Sequence, residues 1–103
     1  GSAPTLVFDE IDTGAGGAVA DAIGGRLEDL SHHVQVLSVT HAPQVAARAG
    51  AHFLISKSGQ DVVETRVTSI VGDARLEEIA RMLSGAKVTD EARAAAAQLL
   101  KTG

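Results

Sequence analysis

The sequence has 103 residues, no cysteine, only two aromatic residues (both Phe) and a formal net charge of −4. Without cysteine there is no disulfide framework, no thiol catalysis and no cysteine-based zinc site. The 9 basic residues are scattered among 13 acidic ones, which argues against this segment itself being a broad phosphate-binding surface for nucleic acid.

The length allows one small domain or part of a larger one. Gly1-Ser2 reads as a cloning remnant, and residues 3–103 as a single domain. No apolar run approaches the roughly 18 residues of a membrane span, and no signal-peptide pattern opens the chain, so the expectation is a cytosolic protein with no membrane partner.

Thr5 to Phe8 is an apolar run that ends abruptly at Asp9-Glu10. A continuous run of this kind predicts a strand buried on both faces, as in a parallel sheet. Asp12 to Gly17 carries the Gly and Asp punctuation of a loop. From Ala18 to Leu30 the period changes, and Val19, Ile23, Leu27 and Leu30 form one helical stripe. Val34 to Val39 is a second β-branched run, closing on Thr40-His41. Strand, helix and strand in this order predict a right-handed βαβ unit with parallel strands.

Pro43 at a first turn predicts a short helix over Gln44–Arg48. Ala51–Lys57 and Val62–Ile70 predict a half-exposed hairpin around the polar loop Ser58 to Asp61. Two helices close the chain. The first has Asp73 as its cap, a stripe of Leu76, Ile79, Ala80 and Leu83, a Glu77–Arg81 pair, and Gly85 as its stop. The second has Thr89 as its cap, with Ala92, Ala96, Leu99 and Leu100 inward.

The chemistry gathers where the two parallel strands end. Asp9-Glu10 and Thr40-His41 each lie just past a strand's carboxyl end, the edge where open α/β sheets bind ligands. Consecutive residues leave a strand in opposite directions, so the two carboxylates take different jobs, one toward a hard cation or its water and one toward a reacting water. The other features carry less. Gly14-Ala15-Gly16-Gly17 precedes a helix but matches neither G-x-x-x-x-G-K-[ST] nor G-x-G-x-x-G, so a tight turn is preferred. His32-His33 reads as solvated loop, His52 lacks an acidic partner nearby in sequence, and Ser38 and Ser56 have no nucleophile elbow around them. Glu77-Glu78 with Arg75 and Arg81 reads as a solvated helix face.

Leu6-Val7-Phe8-Asp9-Glu10 resembles a Walker B motif followed by a catalytic glutamate. Asp12 matches the D-loop of ABC-type ATPases, and Thr40-His41 resembles their switch histidine. Three longer strings are more specific: Val7 to Gly14 (VFDEIDTG), Val39 to Ala46 (VTHAPQVA) and Glu77 to Leu83 (EEIARML). In this order they are similar to the C-terminal ATPase-head segment of the RecN family of DNA repair proteins, relatives of the SMC proteins. The likeness runs from about Thr5 to Leu100. Ala42 departs from it where many relatives carry Leu.

The resemblance implies an α/β fold: a partial P-loop NTPase head lobe of ABC/SMC type, with parallel strands, flanking helices, a hairpin and two C-terminal helices, and without the Walker A strand. It implies ATP and Mg²⁺ as cofactors. Asp9 would hold Mg²⁺ through water, Glu10 would orient and polarise the attacking water, and His41 would sense the γ-phosphate. Asp12 and Thr40 would join Asp9 in binding the nucleotide and its ion, and Asp12 would reach across a head-to-head dimer. The partners implied are the N-terminal Walker A half of the same head, a second head in a homodimer, and DNA through other parts of the protein. The setting implied is the bacterial cytoplasm and nucleoid, in double-strand-break repair. In this family's sheet the phosphate-loop strand lies between the second and third strands read here, so the chain alone is expected to be inactive. Two rival readings remain. One is a non-catalytic α/β dimerisation or docking module. The other is a stand-alone metal-dependent phosphohydrolase in which Asp9, Glu10 and Asp12 bind an ion directly.

Overall fold

β1 (Thr5–Asp9) and β2 (Gln35–Val39) pair in parallel, from Thr5 opposite Gln35 to Asp9 opposite Val39. The crossover between them is α1 (Gly17–Ser31), giving the expected βαβ unit. A computed structural model describes residues 4–102, with side chains to residue 101; the Gly1-Ser2 reading lies outside the described residues. α2 (Pro43–Ala46) starts with proline at its first position, where the missing N–H costs no helical bond.

β3 (His52–Ser58) and β4 (Glu64–Ile70) form an antiparallel hairpin. Its loop is longer than the four polar residues suggest, because Val62 and Val63 stay outside the ladder, 80% and 62% exposed. Gly59 makes the turn at φ +99°, and a Cβ there would lie 2.0 Å from the Val62 carbonyl oxygen, so no other residue fits this bend.

α3 (Gly72–Ser84) and α4 (Asp90–Thr102) pack together. Thr89 caps α4 as expected: its Oγ1 accepts from the Ala92 N–H at 3.0 Å. Gly85 stops α3 at φ +82°, its N–H bonded to the Arg81 carbonyl at 2.8 Å. Asp73 is not the cap of α3. That position is Val71, with no side-chain bond, and Asp73 lies within the first turn, where its charge favours the helix dipole. The Glu77–Arg81 pair does not form either. Arg81 instead pairs with the buried Glu78, and Glu77 accepts from Arg93 of α4 at 2.6 Å. Glu78 faces the packed side of α3, so the neighbouring guanidinium compensates its charge there.

The core is small and sits among α2, α3 and α4. Ala46, Ala47, Ile79, Ala80, Ala92 and Ala96 are its buried residues, with Leu76, Met82, Leu99 and Leu100 packed around them. Most of its closeness comes from alanine, which lets backbones approach.

The expected two-sided burial of β1 is not met, and β2 is open on the same face. Val7 is 64% exposed and Leu37 48%, because among the described residues no layer covers that face. Leu6, Phe8 and Val36 alternate onto the other face. Phe8 meets Ile11, Val19, Ile23 and Leu27 of the α1 side around an apolar groove of about 400 Å³. The α1 stripe is therefore only partly covered, and Val19 is 57% exposed. The buried positions of α1 are Ala20 and Gly24, on the side packed against α2. The hairpin was expected to be half exposed, yet Ile70 alone of β4 is buried. Each sheet has two strands, and among the described residues no pairing joins β2 to β3.

Candidate functional site

Parallel pairing in register delivers both strand ends to one edge. The Glu10 N–H continues the ladder, donating to the Val39 carbonyl at 2.8 Å. The backbone then turns sharply, with Glu10 at φ +55°. A residue with a Cβ in this left-handed region costs about 1–2 kcal/mol, so the surrounding structure must enforce it. Two turn bonds follow, Thr13 N–H to Glu10 at 3.2 Å and Ala15 N–H to Asp12 at 3.0 Å.

This bend brings the Glu10 carboxylate to the loop after β2. His41 Nε2 lies 2.7 Å from Glu10 Oε1, and the two side chains are 88% and 42% exposed. Both are thus accessible to a ligand arriving at the sheet edge.

A second pair lies beneath them. Thr40 Oγ1 donates to Asp12 Oδ2 and accepts from the Ala42 N–H at 2.9 Å. The hydroxyl uses its single hydrogen and one lone pair here. Asp12 is only 7% exposed. The structure therefore places Asp12 and Thr40 against each other within one chain and turns the Asp12 carboxylate inward.

Asp9, the last ladder residue, is exposed. Among the described residues no group of three His, Asp or Glu side chains could hold a metal ion. The direct three-carboxylate site of the phosphohydrolase reading is thus not assembled. A single exposed carboxylate instead suits Mg²⁺, which keeps several waters and takes phosphate oxygens. Beside the edge lies an open cleft of about 310 Å³, lined by Asp12, Gly14, Gly17, His41, Pro43 and Gln44. The glycine run forms its rim and makes the tight turn into α1.

Sequence reasoning missed a supporting cluster. Arg75, read as solvated, donates to the carbonyls of Ala46, Ala47 and Ala49 at 3.1, 3.4 and 2.7 Å. It thereby caps the C-terminus of α2, the element that follows Thr40-His41. Arg75, Glu78, Ile79 and Met82 are spaced as i, i+3, i+4 and i+7, so the packed face of α3 was legible in that spacing. His52 adjoins this cluster, and burial first, then the Arg75 charge, lower its pKa, while Glu78 opposes them.

No protein-family model matches the chain. It is 50% identical over 99 residues to the DNA repair protein RecN of Xylella fastidiosa, covering 95% of this chain and 18% of that protein. It is 48% identical over 99 residues to RecN of Rickettsia felis (94% and 18%). It is 46% identical over 98 residues to RecN of Mycobacterium tuberculosis (95% and 16%). The chain thus spans less than a fifth of the length of these relatives. Among solved structures it is similar to an SMC ATPase described by its ATP-driven dimerization and DNA-stimulated activation. The TM-score is 0.60 at 25% identity, over 79% of this chain and 46% of that one. The likeness supports a partial P-loop NTPase-like head fold.

Proposed function

The chain is a RecN-like C-terminal segment with an SMC-head fold, and on that premise we propose that it supplies the Walker B half of a composite ATPase head. The complete head hydrolyses ATP in DNA double-strand-break repair. The observation that carries this reading is the Glu10–His41 pair, 2.7 Å apart on the open sheet edge, with Glu10 held in a left-handed conformation. Backbone strain at a carboxylate beside a histidine is typical of a reacting site rather than a docking surface.

In this reading Glu10 orients and polarises the attacking water, and His41 contacts the γ-phosphate. Asp9 holds Mg²⁺ through water, and the ion, when bound, neutralises developing phosphate charge. Phosphoryl transfer needs little more than positioning and charge stabilisation, which is why so few residues carry the chemistry. The phosphate loop comes from the N-terminal half of the head, a second head completes the dimer, and DNA is contacted by other parts of the protein in the bacterial cytoplasm. The uncovered faces of β1 and β2 support an incomplete head.

The test is Glu10→Gln in the full-length protein. ATP binding is retained, while turnover falls by about 100-fold or more, the scale of a lost general base. Unchanged turnover would remove Glu10 from the mechanism. It would favour the docking-module reading, which the exposed apolar sheet faces also suit.

A further inference from the structure

Among the described residues three polar contacts join the loop after β1 to the end of β2 and the loop that follows it. One is the backbone bond from Glu10 to Val39. The second is the exposed Glu10–His41 pair, and solvent screening makes such a contact a weak fastener. The third is the bond from Thr40 to the buried carboxylate of Asp12. Its neighbours in sequence are the reacting groups: Thr40 precedes His41, and Asp12 follows Glu10 by two residues.

We propose, on the ATPase reading above, that Asp12 and Thr40 form a latch that positions Glu10 against His41. Both halves of the latch are anchored to backbone. The Thr40 hydroxyl accepts from the Ala42 N–H at 2.9 Å, which closes the switch loop around His41. The Asp12 carbonyl accepts from Ala15 at 3.0 Å, and the Glu10 carbonyl accepts from Thr13 at 3.2 Å, which holds the bend at Glu10. Joining the two side chains fixes the separation of the two loops, and with it the place where water meets the γ-phosphate. Asp12 and Thr40 are positioning residues in this account. They touch neither nucleotide nor water, unlike the nucleotide-contacting role that resemblance gives Thr40 and the cross-dimer role it gives Asp12.

The experiment is steady-state ATP turnover by the full-length protein. Thr40→Val lowers kcat by about 10-fold or more with KM for ATP little changed, as expected for lost orientation. Thr40→Ser, which keeps the hydroxyl, recovers most of that loss. Asp12→Ala falls like Thr40→Val, and Asp12→Asn, which keeps an acceptor, falls less. The double variant Asp12→Ala/Thr40→Val is no slower than Thr40→Val alone, because Thr40→Val has already removed the bond to Asp12. Multiplying losses would overturn the latch and leave two independent roles. A raised KM with intact kcat in Thr40→Val would also overturn it, in favour of direct nucleotide contact. If Thr40→Val does not fold, Asp12→Asn against Asp12→Ala decides, since equal losses would point to the charge rather than the bond. Glu10→Gln in the same assay separates the two claims. If it does not slow turnover, the ATPase reading fails; if it does while Thr40→Val keeps kcat, only the latch fails.

Discussion

His52 shows how one side chain ties the helical core to the hairpin. It starts β3, its Nδ1 is buried without a hydrogen-bond partner, and Arg75 lies close enough to repel a second positive charge. Burial and that repulsion lower its pKa below the ordinary value of 6.5, against the opposing pull of Glu78. The folded state therefore favours the neutral ring. Stability is complete above about pH 6.5 and falls as the pH drops through that value, because the unfolded chain takes up the proton first. Melting of the full-length protein at about pH 7.5 and about pH 5.5 checks this. The Tm lost between the two is expected to be smaller in His52→Gln than in the wild type. The other histidines are the same in both proteins, so the difference isolates His52. Equal losses would mean that the ring is as well solvated folded as unfolded.

Two adjacent glycines of α1 make opposite predictions. At Gly24 a Cβ would meet the Gln44 carbonyl oxygen at 2.9 Å, Arg48 Cγ at 3.1 Å and Val45 Cα at 3.3 Å. Two of these three are backbone atoms of α2, which cannot swing away. Gly24→Ala therefore destabilises by about 1–3 kcal/mol through overpacking, outweighing its better helix propensity. At Gly25 the nearest atom is Arg48 Nη1 at 3.9 Å, the end of a flexible side chain. Gly25→Ala stabilises by up to about 1 kcal/mol. Chemical denaturation of the two variants should give shifts of opposite sign. Helical periodicity found α1 but not this contact. Periodicity weights large apolar side chains, whereas the closest approach of α1 and α2 is made where there is no side chain. The same limit explains the rest of what was missed. Thr89 and Gly85 were legible because a cap is a local pattern. The Asp12–Thr40 bond spans 28 residues and the Arg75 cap of α2 up to 29, and no local pattern carries such pairs. The strand ends were legible because two apolar runs stopped abruptly on polar dipeptides.

At the scale of the whole chain the surface is too large for the mass. A folded monomer of 10.5 kDa exposes about 5,400 Å², whereas this chain exposes 6996 Å². Its radius of gyration is 14.4 Å, against about 13 Å for a compact domain of this length. Much of the excess is apolar: Val7 and Leu37 on the parallel sheet, Phe53, Ile55 and Val67 on the hairpin. These are faces of two short sheets whose strands do not pair with each other, and open edges beside apolar faces invite a partner strand or layer. The cleft beside His41 has the glycine turn and the loop after β2, but the chain holds no G-x-x-x-x-G-K-[ST] loop to cradle the phosphates. Calorimetric titration of Mg-ATP should therefore give no micromolar binding to the 103-residue chain and clear binding to the full-length protein. Micromolar binding to the chain alone would show a self-contained nucleotide site. The excess surface would then need another partner to explain it.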